Sequence, residues 1–338
     1  MQIAAAPAQR RDEPIIHLQV LGGQAGLQQY REYEAPFWRQ RVPELTGGRV
    51  HASISAYSDT GLLRSNLLDY VRLGVISVAN IPLSLASQQD PEIGAIALPL
   101  LSPSADALRR TVALWRPHLA DLLRERYNGE LLAVYIQMAQ VVFCRRPFSS
   151  LLDLVGRRVR TSSVAQSEVV SALRAIPIVM PFAQVSGALR HDIIECVITG
   201  TFSGNEIGLH EQASHVSSLP IDWFVSAVVF NRMTWAALPQ PVQDRLRGGL
   251  QQLEAEVWLA AEQRTADGLA CNAGLSSCLH GRPGRMTIVH EHPDDPNGLT
   301  HVLAERVLQK WMARCGPECA EPWNRIAAPS MHIWAATE

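Results

Sequence analysis

Along most of this chain, short apolar runs of strand length alternate with longer stretches of helical periodicity. Residues 15–21 are apolar, and Gly22-Gly23-Gln24-Ala25-Gly26 leads into a helix pattern that runs through Val42. Residues 49–57 alternate as a strand does, 61–73 carry apolar positions at helical spacing, and 76–81 is another strand run. After an apolar run over 93–100, residues 104–127 read as a long helix with an Ala/Leu/Trp stripe, and 131–136 as a buried strand. Residues 223–231 form a further strand run and Ala237-Leu238-Pro239 a turn. A helix over 240–265 follows, with Leu246, Leu250, Leu253, Val257 and Ala261 on one face. A helix of that length spans about 38 Å, enough to bridge two lobes. The tail after Gly268 reads as loop-rich and closes with a helix over 300–315. Strands alternating with helices predict an α/β architecture of parallel sheets covered on both faces, with ligands gathering at the carboxyl ends of strands.

Composition narrows this. A chain of 338 residues is comfortable for two domains, and 47% hydrophobic with 18% charged residues describes a globular protein. The net charge of −2 gives no electrostatic reason to expect nucleic acid or an anionic membrane as partner. Lys310 is the only lysine, a skew that fits a GC-rich genome and does not identify a ligand. No run reaches the roughly 18 to 20 apolar residues of a membrane span. The first residues also lack a signal peptide's apolar core. Ala4-Ala5-Ala6-Pro7-Ala8 does resemble the small-residue stretch around a cleavage site, so the expectation is a chain that begins near a removed leader.

The cysteines argue for export. Cys271 and Cys278 lie in an expected Gly/Ser-rich loop, and Cys315 and Cys319 bracket Gly316-Pro317-Glu318. Two close pairs in loops fit two short disulfides in an oxidising compartment. A four-cysteine zinc site is the rival, but neither pair has the C-x2-C spacing of a zinc knuckle. Cys144 and Cys196 sit in apolar strand-like runs and are expected to be buried free thiols.

Three motifs invite catalytic or metal chemistry. Gly22-Gly23-x-x-Gly26 follows a strand but lacks the lysine of a phosphate loop and the acid that holds a ribose. It reads as a tight turn on the rim of a cleft, with Gln24 a candidate ligand contact. Gly200-Thr201-Phe202-Ser203-Gly204 places its serine one position late for a nucleophile elbow, and no partner His and Asp follow in hydrolase order. His290-Glu291-His292 with Asp294 and Asp295 has metal-binding composition, yet it stands in a turn-rich loop with no further ligand at helical spacing.

The most informative stretch is 143–200. It reads FCRRPFSSLLDLVGRRVRTSS, then a helix, then AIPIVMPFAQVSGALRHDIIECVITG. Arg160 ends a short strand, and Thr161-Ser162-Ser163 follows where a helix should begin. A guanidinium with paired N–H donors, beside first-turn backbone amides, is equipped to hold a carboxylate. Arg157 and Arg158 are expected at the surface.

The order and spacing of this stretch resemble the solute-binding proteins of tripartite ATP-independent periplasmic (TRAP) transporters. So does NRMTWAALPQPVQDRLRGGLQQ, which is similar to the start of that family's bridging helix. The resemblance covers roughly 18–251. It implies a two-lobed α/β clamshell with hinge strands, in which lobe I comprises 14–138 plus 226–262 and lobe II 139–225 plus 263–338. It also implies a periplasmic protein, expected to be a monomer, that hands an organic acid to membrane permease subunits, without catalysis, cofactor or metal. Arg160 matches the family's carboxylate-binding arginine, Phe182 its ligand-packing aromatic, Ser163 a nearby polar position and Thr199 the place of its asparagine. The Gly, Gln, Glu and Asn of the family's motif at that last place are missing here. Gln140 stands where many members carry a second arginine. Trp223, Phe224, Met138 and Tyr57 are apolar candidates for the cleft. One fixed positive charge favours a monocarboxylate such as a hydroxy or keto acid. A sensory binding component and, less well supported, a hydrolase using the same cleft are the alternatives.

Overall fold

A computed structural model describes residues 14–63, 66–291 and 299–336. The leader-like residues 1–13 and the cluster members His292, Asp294 and Asp295 lie outside the described residues. One mixed sheet organises the chain. Its strands are β1 (Ile16–Gly22), β2 (Val50–Ala56), β3 (Val78–Pro82), β4 (Gly129–Cys144), β5 (Arg158–Thr161), β6 (Ile176–Val179), β7 (Cys196–Gly200), β8 (His215–Ser217), β9 (Asp222–Asn231) and β10 (Thr287–Val289). They run in the order β2-β1-β3-β9-β4-β7-β5-β6, with β8 beside β4 and β10 beside β8. Two parallel groups, β2-β1-β3 and β7-β5-β6, flank the antiparallel pair β9–β4. The sequence expectation of strands alternating with helices holds, with the two groups as the cores of two lobes.

Strand β4 joins them. It is 16 residues long, GELLAVYIQMAQVVFC, and almost wholly buried, as a strand covered on both faces must be. Its first part pairs with β9 and its last part with β7. Gln140 is the position of exchange, opposite Asp222 on β9 and Gly200 on β7. Register breaks between Leu131 and Ala133 and between Ile136 and Ala139 mark two irregularities. Such bulges take backbone groups out of the ladder, and each buried N–H then needs another partner.

The long helix (Gln240–Ala273, 34 residues) bonds to the β4 backbone at Val134 and, beside a break, at Ala139, and at about 51 Å it passes beside both lobes. The Glu254 carboxylate accepts the Val134 N–H at 3.0 Å, the Trp258 indole donates to the Val134 carbonyl at 2.9 Å, and the Thr265 hydroxyl accepts the Ala139 N–H at 3.0 Å. Arg116, from the helix Ala105–Tyr127, fixes Glu254 with two bonds of 2.6 and 3.0 Å. The helix continues past its expected end at 265. Gly268, which reads as a breaker, is there because the helix presses on another backbone: a Cβ would lie 2.3 Å from the Phe202 nitrogen. Termination comes at Gly274, in the left-handed conformation. Cys271 therefore sits in the helix and not in a loop.

Cys271–Cys278 and Cys315–Cys319 are disulfides, as expected. Cys144 and Cys196 are not free thiols: they form a third bridge. They are direct register partners on β4 and β7, a cross-strand relation that apolar surroundings alone do not reveal. Non-reducing peptide mapping should recover three linked pairs and no alkylatable thiol in oxidised protein. Two labelled cysteines at 144 and 196 would contradict this pairing.

Two of the buried carboxylates, Glu34 and Asp222, have their pKa values raised by burial. Glu34 accepts from the Gly23 N–H (2.6 Å), Asn80 Nδ2 (2.7 Å) and Gln29 Nε2 (3.0 Å), and burial raises its pKa in spite of them. Asp222 accepts from the Trp223 N–H (2.7 Å) and Gln166 Nε2 (3.3 Å), and burial pushes its pKa up to about 7. A carboxyl whose folded pKa exceeds its unfolded value of 3.8 adds stability that is complete below that value and is lost as pH rises through about 7. In urea titrations Asp222→Asn should therefore gain on wild type by on the order of 1 kcal/mol per pH unit between about pH 5 and 7. Parallel pH profiles for the two proteins would refute the raised pKa.

Candidate functional site

The carboxyl ends of both parallel groups meet at one cavity of about 280 Å³. From the β2-β1-β3 side come Gln24, Leu27, Tyr57 and Leu85. From the β7-β5-β6 side come Ser162, the turn 179–182, Thr199 and Gly200. Gln137 and Gln140 enter from β4, the first at the bulge and the second at the change of partner. Bulges re-aim side chains, and parallel sheets gather ligands where their strands end. A chamber of about 40 Å³ adjoins the cavity, sharing Leu27, Gln137 and Ser203, and is lined further in by Glu206 and Arg264. Burial raises the pKa of Glu206, against the lowering effect of Arg31 and Arg264.

Arg160 is the one charged side chain in the wall of the larger cavity among the described residues, and it is only 4% exposed. Its strand lies between β6 and β7, and the guanidinium is pinned to the residue just past β6 and to the middle of β7. Nε and Nη2 donate to the Met180 carbonyl at 3.1 and 3.0 Å, and Nη1 donates to the Ile198 carbonyl at 2.9 Å. A guanidinium has five N–H donors. These three bonds leave one N–H on each Nη. No carboxylate among the described residues offsets the desolvation, which lowers the pKa to about 10, so the group stays cationic at neutral pH. A buried cation without an internal counter-ion calls for an anion from outside.

Of the residues predicted from sequence, Arg160, Gln140, Phe182, Thr199 and Gln24 all line this cavity. Ser163 and Trp223 do not. The Ser163 hydroxyl caps the helix Val164–Ala172 by accepting the Gln166 N–H at 3.1 Å, and Ser162 takes the cavity position. The Trp223 indole donates to the Ser102 carbonyl at 2.8 Å, and its neighbour Phe224 lines the cavity, as alternation along a strand requires. Gln140 is tied by its Nε2 to the Met138 carbonyl at 3.1 Å. Tyr57, whose hydroxyl lies 3.5 Å from Gln24 Oε1, completes the aromatic part of the wall. Sequence reasoning missed Gln137, Leu27 and the pair behind Ser162, Gln166 and Asp222. A polar residue four positions after Ser162, at helical spacing, was the available signal for Gln166.

The rival motifs resolve into structure. The Gly23 N–H, which a phosphate loop would aim at its ligand, is taken by the Glu34 carboxylate. The Ser203 hydroxyl donates to the Met138 sulfur at 3.6 Å, and no hydrogen bond joins it to a His or Asp among the described residues. His290 Nδ1 meets the Ser218 hydroxyl at 3.1 Å, and Glu291 accepts the Leu151 N–H at 2.6 Å, so these two face separate partners. Asp267, Cys271 and Cys278 lie close enough together to suggest a metal. Both sulfurs are committed to a disulfide, and Asp267 accepts the N–H groups of Leu279 (2.7 Å) and His280 (3.2 Å). Arg157 donates to the carbonyls of Arg146 and Pro147, and Arg158 pairs with Glu195, both away from the cavity.

Known structures share this fold. A Bordetella pertussis extracytoplasmic solute receptor, DctP7, solved binding pyroglutamic acid, is 19% identical with a TM-score of 0.75, over 91% of this chain and 98% of its own. A TRAP periplasmic solute-binding protein from Desulfovibrio salexigens with bound orotic acid is 17% identical with a TM-score of 0.74, over 92% and 99% of the two chains. One from Sulfitobacter sp. NAS-14.1 with bound β-D-galacturonate is 14% identical with a TM-score of 0.74, over 92% and 99%. The likeness supports a two-lobed periplasmic-binding-protein architecture. A sequence profile described as DctP, bacterial extracellular solute-binding protein, family 7, matches residues 22–270. The chain belongs to that family, the DctP-like solute-binding proteins of TRAP transporters.

Proposed function

We propose that this protein captures an organic monocarboxylate in the cavity around Arg160 and delivers it to a TRAP membrane permease from the periplasm, acting as a monomer and without catalysis. The observation that carries the reading is the buried Arg160 guanidinium, held by two backbone carbonyls, with two N–H groups left and no counter-ion among the described residues. Phe182 and Phe224 pack the apolar body of the acid, while Gln140, Thr199 and Gln24 offer neutral polar contacts. The lobes divide as 14–138 plus 226–262 and 139–225 plus 263–338. This places the boundary on β4 close to Gln140, where that strand changes partner. Hinge closure across the boundary buries the carboxylate with Arg160, and a permease that favours the open geometry promotes release.

Titration calorimetry with the tightest acid from a thermal-shift screen tests the anchor. Arg160→Ala should weaken binding by at least about 30-fold, since truncating one partner of a buried charge pair costs about 2–5 kcal/mol. Arg160→Lys keeps the charge but not the parallel donors and should fall between. Equal affinity in wild type and Arg160→Ala would remove Arg160 from the site.

The choice of one carboxylate follows from the wall. A second carboxylate would enter a cavity whose other polar groups are neutral, and its desolvation would be uncompensated. Pyroglutamic acid, orotic acid and galacturonate, bound by similar proteins, each carry a single carboxyl on a ring. Monocarboxylates should bind at least about tenfold tighter than size-matched dicarboxylates, a difference of about 1.4 kcal/mol. Gln140→Arg should narrow the gap. Diacids as the tightest ligands in the screen would contradict this reading.

A further inference from the structure

We infer that Ser162 selects acids bearing a hydrogen-bond donor next to the carboxylate, because Gln166 and Asp222 lock its hydroxyl as an acceptor. The inference rests on the carboxylate reading of Arg160 and names the kind of acid the same cavity takes.

The polarity of the chain can be read without ambiguity from one end. The Gln166 side chain is 1% exposed, and a single terminal atom of it lies 2.9 Å from the Ser162 backbone N–H and 3.0 Å from the Ser162 hydroxyl. A backbone N–H can only donate, so the atom facing it must be the amide oxygen. The amide nitrogen is then turned to Asp222 Oδ2, 3.3 Å away, where a carboxyl oxygen accepts. The reverse orientation would set N–H against N–H at Ser162 and oxygen against oxygen at Asp222. The Trp223 N–H, at 2.7 Å from Oδ1, holds Asp222 from its other side.

The proton of the hydroxyl is already engaged. Gln166 Oε1 is an acceptor, the Ser162 O–H donates to it, and the lone pairs of Oγ are what remains for the cavity. Ser162 lies two positions after Arg160, so the two Cα atoms are about 7 Å apart and the side chains share a face of the extended chain. A small acid whose carboxylate meets the free Nη donors therefore brings its adjacent substituent toward Ser162. An N–H or O–H there completes a hydrogen bond. An ether or ester oxygen there has no proton and sets lone pair against lone pair, and the Ser162 proton can turn to it only by giving up its bond to Gln166 Oε1. Gln166 and Asp222 act through Ser162 and are positioning residues.

An isosteric pair tests this: 5-oxopyrrolidine-2-carboxylate, with a ring N–H beside the carboxyl-bearing carbon, and 5-oxotetrahydrofuran-2-carboxylate, with a ring oxygen in its place. Calorimetry on the wild-type protein should show the lactam binding at least about tenfold tighter than the lactone, the penalty expected for an unmatched polar contact. Ser162→Ala should bring the ratio to within about threefold, with both acids still dependent on Arg160. Gln166→Met frees the hydroxyl to donate and should also reduce the ratio, an effect that a merely structural role would not produce. Equal binding of the two acids by wild type, or a lactam preference that survives Ser162→Ala, overturns the inference. Failure of the underlying reading looks different: Arg160→Ala then leaves both affinities unchanged. If neither acid binds at millimolar concentration, the cavity does not take small ring acids with an adjacent donor, and the inference falls.

Discussion

Strand β4 can serve two lobes only by leaving one partner for another, and the rest of the structure follows from how that exchange is supported. An antiparallel ladder with β9 and another with β7 meet at Gln140, and the bulge just before it frees backbone groups in the interior. Buried N–H groups without partners would cost about 1–3 kcal/mol each. The long helix accepts the Val134 and Ala139 N–H groups through Glu254 and Thr265, donates to the Val134 carbonyl through Trp258, and so becomes fixed across both halves of the molecule. The polar positions that interrupt β4, Gln137 and Gln140, are the ones presented to the cavity. The bulge and the change of partner on β4 thus supply part of the cavity wall.

The second determinant is charge. Arg160 is as buried as many core residues, yet its three internal bonds go to neutral carbonyls. Carbonyls orient the guanidinium and partly replace its water. They do not neutralise it. An internal carboxylate would have satisfied Arg160 and closed the site to outside anions. Glu34 and Asp222 show that the fold buries carboxylates elsewhere, each surrounded by donors that leave it no need of an arginine.

Much of this was legible in the sequence. The α/β alternation, the bridging helix and the sites of two disulfides follow from periodicity and spacing, and Arg160 stood out because a strand end and a helix start converge on it. The errors have physical causes. Gly268 looked like a helix end because its real reason, contact with the Thr201–Phe202 backbone, involves distant residues. Cys144 and Cys196 looked like small hydrophobes because pairing across a ladder leaves no local trace. Ser163 and Trp223 each missed the cavity by one position. At Ser163 a helix cap claimed the hydroxyl, and on β9, buried on both faces, no polar alternation marks which face meets the cavity. The link from Ser162 to Asp222 joins residues on different elements and becomes visible only in three dimensions.

A crystal structure of the protein with its tightest screened acid would test the central claim most directly. The expected result is a carboxylate bonded in parallel to Nη1 and Nη2 of Arg160, beneath closed lobes, with Met180 and Ile198 still holding the guanidinium from behind. An acid bound elsewhere, or one whose carboxylate avoids Arg160 while the guanidinium stays on its carbonyls, would contradict it.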